Sequence, residues 1–178
     1  MKCFHTHVLQ DGIHTKPLEI TMCPWSNSDR YIFHEISSNP LSLSFPFRFT
    51  NNETSYLNLE QFILYKFCLH HNEITKSKQI MTTNLFFARN LVSKIQPHSS
   101  WYDCLDDILK YSLDITLPHC PDFKNCLNDI DKKTIIYASK DKYSGSGLNI
   151  SLTEMTKIEQ FPGHNKLGEF LMEIKERI

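Results

Sequence analysis

The sequence lacks the features that mark membrane-spanning, secreted and strongly basic nucleic-acid-binding proteins. It contains no run of about 18 apolar residues, and Met1–His14 holds no apolar segment, so neither a membrane-spanning helix nor a signal peptide is predicted. The formal net charge is -1 and no basic run is longer than Lys132–Lys133, so a nucleic-acid partner would need a local basic patch. We expect a soluble protein of the cytoplasm or the nucleus, without a membrane partner.

The sequence also lacks the spacings that define disulfide frameworks, metal sites and several catalytic motifs. Its six cysteines fall at irregular intervals, which favours reduced, mostly buried thiols. Cys3, His5 and His7 have metal-binding side chains but not the paired spacing that closes a tetrahedral site. No G-x-S-x-G, G-x-x-x-x-G-K-S/T or H-E-x-x-H motif is present. We therefore predict no metal and no cofactor, and the chemistry that remains is that of carboxylates.

Length and periodicity predict one compact α+β domain that is predominantly helical and has a small sheet. A chain of 178 residues is long enough to build one core. Residues 1–28 form a predicted N-terminal extension, and residues 29–178 form the domain. Apolar spacing and capping signals predict helices that begin near Asn58, Thr75, Trp101, Pro121 and Asn165, with Asn58 and Asn165 as N-caps. The helix that begins near Thr75 is predicted to continue to about Ile95, where Pro97 stops it.

Four extended segments are predicted. Tyr31–His34 and Thr134–Ser139 are short apolar runs typical of strands, and the β-branched composition of the second predicts that it is buried. In Leu41–Phe49 apolar residues alternate with polar ones, which predicts a half-buried edge strand or a bent loop because Pro46 cannot donate to a ladder. Leu18–Met22 can form an edge strand within the extension.

The segment Tyr56–His71 carries two opposite charges in an otherwise apolar helical pattern. Glu60 and Lys66 lie on either side of Ile63, and they are separated by about 9 Å along the helix axis. The apolar stripe is formed by Leu59, Phe62, Ile63 and Phe67. Such charges can line one pocket. A structural explanation is also open, because an acid in a first helical turn is favoured by the helix dipole and a lysine can extend its ammonium from the edge of a buried stripe.

A second candidate site is the loop that follows the predicted strand Thr134–Ser139. Asp141 opens this loop, and Gly145 and Gly147 allow a ligand to approach the backbone, although a plain turn has the same composition. A carboxylate beside an apolar helix face and an aspartate on a nearby loop are suited to general acid or base chemistry. Hydrolysis of a glycosidic bond uses such a pair.

Four blocks of the sequence, in this order, resemble the NADAR (YbiA-like) family. They are N-P-L-S-L-S-F-P-F-R-F (39–49), Y-L-N-L-E-Q-F-I-L-Y-K-F (56–67), Y-A-S-K-D-K-Y-S-G-S-G-L (137–148) and P-G-H-N-K-L-G-E-F-L-M-E-I (162–174). The resemblance spans about residues 31 to 178. It implies a small α-rich α+β domain that cleaves N-glycosidic bonds of ribose-containing compounds, either riboflavin-pathway intermediates or ADP-ribose attached to guanine bases.

The resemblance also implies roles for individual residues. Glu60 matches the acidic residue of the family motif Y-x-x-x-E-H/Q and is the expected catalytic carboxylate. Lys66 is expected to hold a phosphate or the base, and Asp141 is the expected loop aspartate. The expected substrate-binding residues are Phe45, Trp101, Tyr143, Ser144, Gly145 and Asn165. The implied partners are a ribosylated nucleobase, ADP-ribose or a related nucleotide, and modified nucleic acid if a local patch binds it.

Three positions depart from the family pattern. Ser144 stands where the loop usually carries Trp, and the neighbouring Tyr143 can supply an aromatic face in its place. Leu43 and Ser44 stand where the family usually has Asn and Phe. These changes imply either a different substrate or binding without catalysis.

The first hypothesis is an N-glycosidase. The second is a non-catalytic module that binds ADP-ribose or a related nucleotide, which the three changed positions favour. The third is a structural interaction domain.

Overall fold

The computed structural model describes residues 29–131 and 133–178, together with the backbone of two short strands before them. These strands, β1 (Phe4–His5) and β2 (Leu18–Glu19), pair antiparallel. The remainder of the predicted extension, including the cysteine and histidine at positions 3 and 7, lies outside the described residues. Within the described residues, no helix has both the length and the apolar character needed to cross a membrane.

The described chain is α+β and predominantly helical, as predicted. The α-helices are α1 (Leu59–His70), α2 (Ile74–Thr82), α3 (Leu85–Val92), α4 (Ser99–His119), α5 (Pro121–Asp129), α6 (Ile150–Met155) and α7 (Lys166–Lys175), with a 3₁₀ turn at Ile158–Gln160. The remaining strands are β3 (Arg30–Phe33), β4 (Phe49–Asn51), β5 (Thr54–Tyr56) and β6 (Thr134–Tyr137). The chain divides into two compact units: unit 1 is Met1–Ser42 with Pro121–Ile178, and unit 2 is Leu43–Cys120.

Unit 1 is built on a parallel pair of strands. β3 and β6 pair in register from Arg30 with Thr134 to Phe33 with Tyr137, which confirms both predicted strands. Their apolar residues are buried, as expected for parallel strands that are covered on both faces. Helix α7 packs against β6. The residues of α7 that are buried are Leu167, Gly168, Phe170, Leu171 and Ile174.

Asn165 is the N-cap residue of α7, as predicted, but its side chain makes no capping hydrogen bond to the helix. Its backbone is left-handed, with φ 52°, and its amide bonds to β6 instead. Oδ1 accepts from the Tyr137 N–H at 2.9 Å, and Nδ2 donates to the Ile135 carbonyl at 2.9 Å. The amide therefore pairs with β6 as the backbone of a neighbouring strand would. The first N–H groups of α7 donate to loop carbonyls instead, as in Leu167 N to Ser144 O at 3.0 Å.

Gly168 lies where the first turn of α7 comes closest to β6. A Cβ at this position would lie 2.3 Å from the Ile135 carbonyl oxygen and 2.4 Å from Nδ2 of Asn165. A side chain of any size would therefore force the helix away from the strand and break the amide bridge.

The first helix of unit 2, α1, is capped as predicted. The Asn58 side chain accepts from the Gln61 N–H at 2.9 Å. The Gln61 side chain accepts from the Leu57 N–H at 2.8 Å and donates to the Ile80 carbonyl at 3.0 Å, so it closes the cap and also ties α1 to α2. These contacts account for the burial of a glutamine within an apolar helix face.

The helix predicted from Thr75 to Ile95 is wrong, because the segment forms two helices. Thr83 is extended, with φ -118° and ψ 164°, and separates α2 from α3. The Asn84 side chain then accepts from the Phe87 N–H at 3.1 Å and starts a new helix. Both helices pack on α1, with Ile80 and Ala88 buried.

The alternation predicted for Leu41–Phe49 is observed only in its second half, where Phe45, Phe47 and Phe49 are less exposed than Pro46 and Arg48. Residues 41–45 form turns and bends, and only Phe49 enters a strand. The serines at positions 42 and 44 are buried, whereas Leu43 and Phe45 are only half-buried. The reason is a turn that the Asn39 side chain holds by accepting from the Leu41 N–H at 2.9 Å. The four described cysteines are free thiols, which agrees with the predicted reduced state.

Replacing Gly168 by Ala is expected to lower the free energy of unfolding by about 2 kcal/mol or more, because the added carbon meets backbone that cannot move aside. Urea denaturation followed by circular dichroism measures the change. Lys78→Ala, at an exposed position of α2, is the control and should change stability by less than about 0.5 kcal/mol. Equal stability of the two variants would contradict the close approach of α7 to β6.

Stability is expected to fall in alkaline solution. Burial, and then Tyr65, raise the pKa of Tyr56 against an opposing hydrogen bond from Thr54. Burial also raises the pKa of the Cys68 thiol. Because both groups hold their protons more tightly when folded, their stabilisation is complete below their ordinary pKa values and is lost as pH rises through the raised ones. Urea unfolding at stepwise higher pH should show this loss, and Tyr56→Phe should reduce it. An identical pH profile for the variant would refute the assignment.

Candidate functional site

Glu60 forms a two-pronged ion pair with Arg89 of α3. Nε of Arg89 donates to Oε1 at 2.5 Å, and its Nη2 donates to Oε2 at 2.6 Å. The Glu60 side chain is only 14% exposed, whereas that of Arg89 is 49% exposed. The carboxylate of the pair is therefore shielded from solvent, while the guanidinium is partly exposed to it. Two parallel hydrogen bonds fix the plane of the carboxylate as well as its position.

The carboxylate keeps acceptor capacity in this arrangement. An ionised carboxylate offers roughly four lone-pair positions, and the guanidinium uses two of them. The remaining positions can accept from a water molecule or from a sugar hydroxyl. Arg89 was not predicted as a site residue, because its partner lies 29 positions away in the sequence and on another helix. An arginine in a helix gives no local signal of such a contact.

The predicted segment around Phe45 meets α1 at Glu60. The Glu60 N–H donates to the Leu43 carbonyl at 2.8 Å, so this segment provides the backbone acceptor for the first turn of the helix. Ser44 is buried and Phe45 is half-buried. Leu43, one of the positions at which the sequence departs from the family pattern, is therefore bonded to the backbone of Glu60, and Ser44 follows it directly.

Lys66 lies two turns along α1 from this point. Its ammonium is 5.3 Å from the centroid of the Phe62 ring, a cation–π contact. The side chain therefore runs along the apolar stripe. Glu60 and Lys66 remain on the same helix at the predicted spacing, and the structure gives each a different partner.

Trp101 is part of the core of unit 2. It is 5% exposed, and its ring meets Phe67 edge-on at 5.0 Å and His70 at 5.6 Å. Such burial makes the indole a support for α1 and α4. Its predicted contact with substrate stays a prediction.

In unit 1, Asp141 organises the loop that follows β6. Its Oδ1 accepts from the N–H groups of Tyr143 at 3.0 Å and Ser144 at 2.6 Å, and from the Ser144 hydroxyl at 2.8 Å. The loop then supplies carbonyls to the start of α7. Gly145 is required by this path, because a Cβ there would lie 2.7 Å from Cβ of Ser139. Asp141 itself is exposed.

The other predicted binding residues of unit 1 have distinct surroundings. Tyr143 and Ser144 are half-buried, and both pass their carbonyls to α7. Asn165 commits both ends of its amide to the β6 backbone, so in this structure it positions α7. Gly145 has no side chain, so only its backbone can contact a ligand.

Unit 1 also contains a carboxylate that the sequence did not single out. Glu35 follows β3, and its Oε1 accepts from the Ser42 hydroxyl at 2.5 Å while Oε2 accepts from the Tyr137 hydroxyl at 2.9 Å. Glu35 thus lies at the carboxyl end of the parallel pair β3–β6, the end where ligands of parallel sheets commonly bind. The available signal was its place directly after a predicted strand.

Residues 29–131 and 133–178 contain no group of three or more histidine, cysteine, aspartate or glutamate side chains arranged to hold a metal ion.

The residues predicted to form the site are divided between the two units. Glu60, Lys66, Phe45 and Trp101 belong to unit 2, whereas Asp141, Tyr143, Ser144, Gly145 and Asn165 belong to unit 1.

The chain is similar in structure to the protein YbiA of E. coli, whose structure was determined by NMR. The TM-score is 0.62, with 88% of this chain and 89% of YbiA covered, at 14% sequence identity. Scans of the sequence against protein-family models and against curated proteins find no match. The YbiA-like fold predicted from the four sequence blocks is therefore confirmed, and an identity this low shows the fold alone.

The Glu60–Arg89 pair is expected to stabilise unit 2 by more than an ordinary surface pair. Glu60→Gln, Arg89→Gln and the double variant, unfolded in urea, should give a coupling energy of about 1 kcal/mol, because the carboxylate is shielded and held by two bonds. The matched control is Glu73 with Lys76, which are three positions apart on the surface and should couple by less than about 0.5 kcal/mol. Equal coupling in the two pairs would contradict the special geometry.

Proposed function

We propose that this chain is an N-glycosidase that hydrolyses the bond between ribose and a base, with Glu60 as the catalytic carboxylate. The observation that carries the proposal is the shielded carboxylate held in one plane by Arg89. Two further facts support it: the four sequence blocks that resemble the NADAR family, and the YbiA-like fold.

Hydrolysis of an N-glycosidic bond needs little covalent chemistry from the protein. As the bond from the ribose C1′ to the base nitrogen breaks, the sugar carbon becomes positively charged and resembles an oxocarbenium ion. A fixed carboxylate stabilises that charge, and its unused lone pairs can orient a water molecule. The water oxygen then bonds to C1′, and its proton ends on the departing base. Arg89 acts as a positioning residue, because it holds the carboxylate and does not itself meet the reacting atoms.

The other predicted residues keep supporting roles in the proposal. The Lys66 ammonium lies over the Phe62 ring, on a different side of α1 from the Glu60 carboxylate, so its positive charge is suited to a substrate phosphate that is remote from the sugar. Asp141 orders its loop through three hydrogen bonds and thereby presents the Tyr143 ring, the aromatic face beside the position where the family has Trp. The substrate class is a ribosylated base, either an ADP-ribosylated guanine or a ribosylaminopyrimidine.

A second candidate function, binding of ADP-ribose without hydrolysis, is favoured by one observation. Ser144, which replaces the tryptophan of the family loop, donates its hydroxyl to Asp141 at 2.8 Å. The residue that differs from the family pattern therefore forms a hydrogen bond within its own loop. A chain that retains its scaffold but has a changed base-binding loop can bind a nucleotide and leave it intact.

Glu60→Gln is expected to abolish base release from an ADP-ribosylated guanine or a ribosylaminopyrimidine, because the neutral amide cannot stabilise the developing charge. The loss should be on the order of 100-fold or more. Product formation is measured by chromatography. Glu53→Gln, in the exposed turn after β4, is the matched control and should retain full turnover.

Three outcomes would count against the proposed hydrolysis at Glu60. Turnover by Glu60→Gln equal to that of the wild type would refute Glu60 as the catalytic residue. Thermal stabilisation of the wild type by ADP-ribose, with no product from either substrate, would instead establish the binding module. Absence of both stabilisation and product would leave the structural interaction domain.

A further inference from the structure

A groove in unit 2 runs between strand β4 and helix α4. It encloses about 500 Å³, which lies in the range of small-molecule sites. Strand β4 and the two residues before it line one side, and the face of α4 that carries positions 111, 115 and 119 lines the other. The polar and aromatic lining residues are Phe47, Arg48, Phe49, Thr50, Asn51, Tyr111 and His119.

The charge of this groove is one-sided. Arg48 is exposed, and no described residue forms an ion pair or a hydrogen bond with its guanidinium. His119 is a second basic side chain without a partner in the described chain. None of the described residues that line the groove is acidic. A ligand that carries an anionic group would therefore find a planar set of donors that no described residue occupies.

The groove also offers aromatic surface held in place. The Tyr111 hydroxyl accepts from Nδ2 of Asn51 at 2.5 Å, and the Tyr111 ring rests near Phe62, with centroids 6.3 Å apart. The ring nevertheless remains 49% exposed. Phe47 stacks on Phe49 at 5.7 Å and is half-buried. A planar aromatic ligand can therefore stack on these rings, whose positions are already fixed by their neighbours.

The groove is separate from the Glu60–Arg89 pair. The ring of Phe62 points toward Phe49 and Tyr111, with centroids 5.8 Å and 6.3 Å away. Glu60 precedes Phe62 by two positions and thus projects roughly 200° around the axis of α1, toward α3. The two features use opposite faces of the same helix.

We propose that the β4–α4 groove binds a nucleotide unit. The base stacks on Tyr111, and the phosphate is held by Arg48 with His119 beside it. A ring and an anion on one small ligand match an exposed ring and a guanidinium that has no partner within residues 29–131 and 133–178. The site is independent of the proposed hydrolysis, since it uses no residue of the Glu60 site. A free nucleotide and one residue of a single strand share this chemistry.

Calorimetric titration of the whole chain with AMP tests the proposal. AMP should bind more tightly than adenosine or inorganic phosphate alone, because only AMP carries both groups. Arg48→Gln, an exposed position whose change should leave the fold intact, should weaken AMP binding at least about tenfold. Lys78→Gln removes a positive charge from an exposed site on α2 and should leave the affinity unchanged. A thermal melt of each variant verifies folding.

Further arms identify the source of the ligand and the site. A short single-stranded oligonucleotide that binds more tightly than AMP indicates a nucleic-acid strand, and equal affinity indicates a free nucleotide. Glu60→Gln should bind AMP as the wild type does. Unchanged AMP affinity in Arg48→Gln, equal weakening by Lys78→Gln, loss of AMP binding in Glu60→Gln, or no binding of AMP by the wild type would each overturn the proposal. Failure of the hydrolysis experiment would leave it unaffected.

Discussion

The satisfaction of the backbone donors at the start of α1 is the constraint on which the rest of unit 2 depends. The first N–H groups of a helix have no partner within it. Here the Asn58 side chain takes the N–H of Gln61, and the Leu43 carbonyl takes that of Glu60. The second of these bonds fastens the chain that precedes β4 onto the helix. It also fixes the backbone of Glu60, so that its side chain leaves the first turn in one direction and meets Arg89.

Local rules account for much of the fold. The sequence predicts the cap at Asn58 and the start of α5 at Pro121, because both depend on neighbours within a few positions. It also predicts strands β3 and β6 from their local composition, although the pairing of the two strands is long-range. The break at Thr83 was not predicted, because the apolar spacing continues across it and only the cap at Asn84 marks a new start. The Glu60–Arg89 contact joins two helices that no local pattern relates. Long-range contacts of this kind are what a single sequence conceals.

Part of the family-like pattern has a structural explanation. The Asn165 side chain bonds to the backbone of β6, and Gly168 has no Cβ to obstruct that contact. Residues 165–168 (N-K-L-G) therefore form the junction of helix α7 with strand β6. Gly145 similarly permits the path of the loop after β6. These residues report the fold, which agrees with the likeness to YbiA at 14% identity. Information about chemistry must instead come from Glu60, its arginine and the changed positions beside them.

The parallel pairing of β3 with β6 has a consequence for how the chain folds as it is synthesised. Arg30 and Thr134 face each other although roughly 100 residues separate them, so closing this pair carries the entropy cost of a long loop. Unit 2 is one continuous stretch, and its helices can find their neighbours as soon as they leave the ribosome. The apolar strand β3 is synthesised before β6, so its backbone groups and apolar side chains remain without this partner until β6 follows.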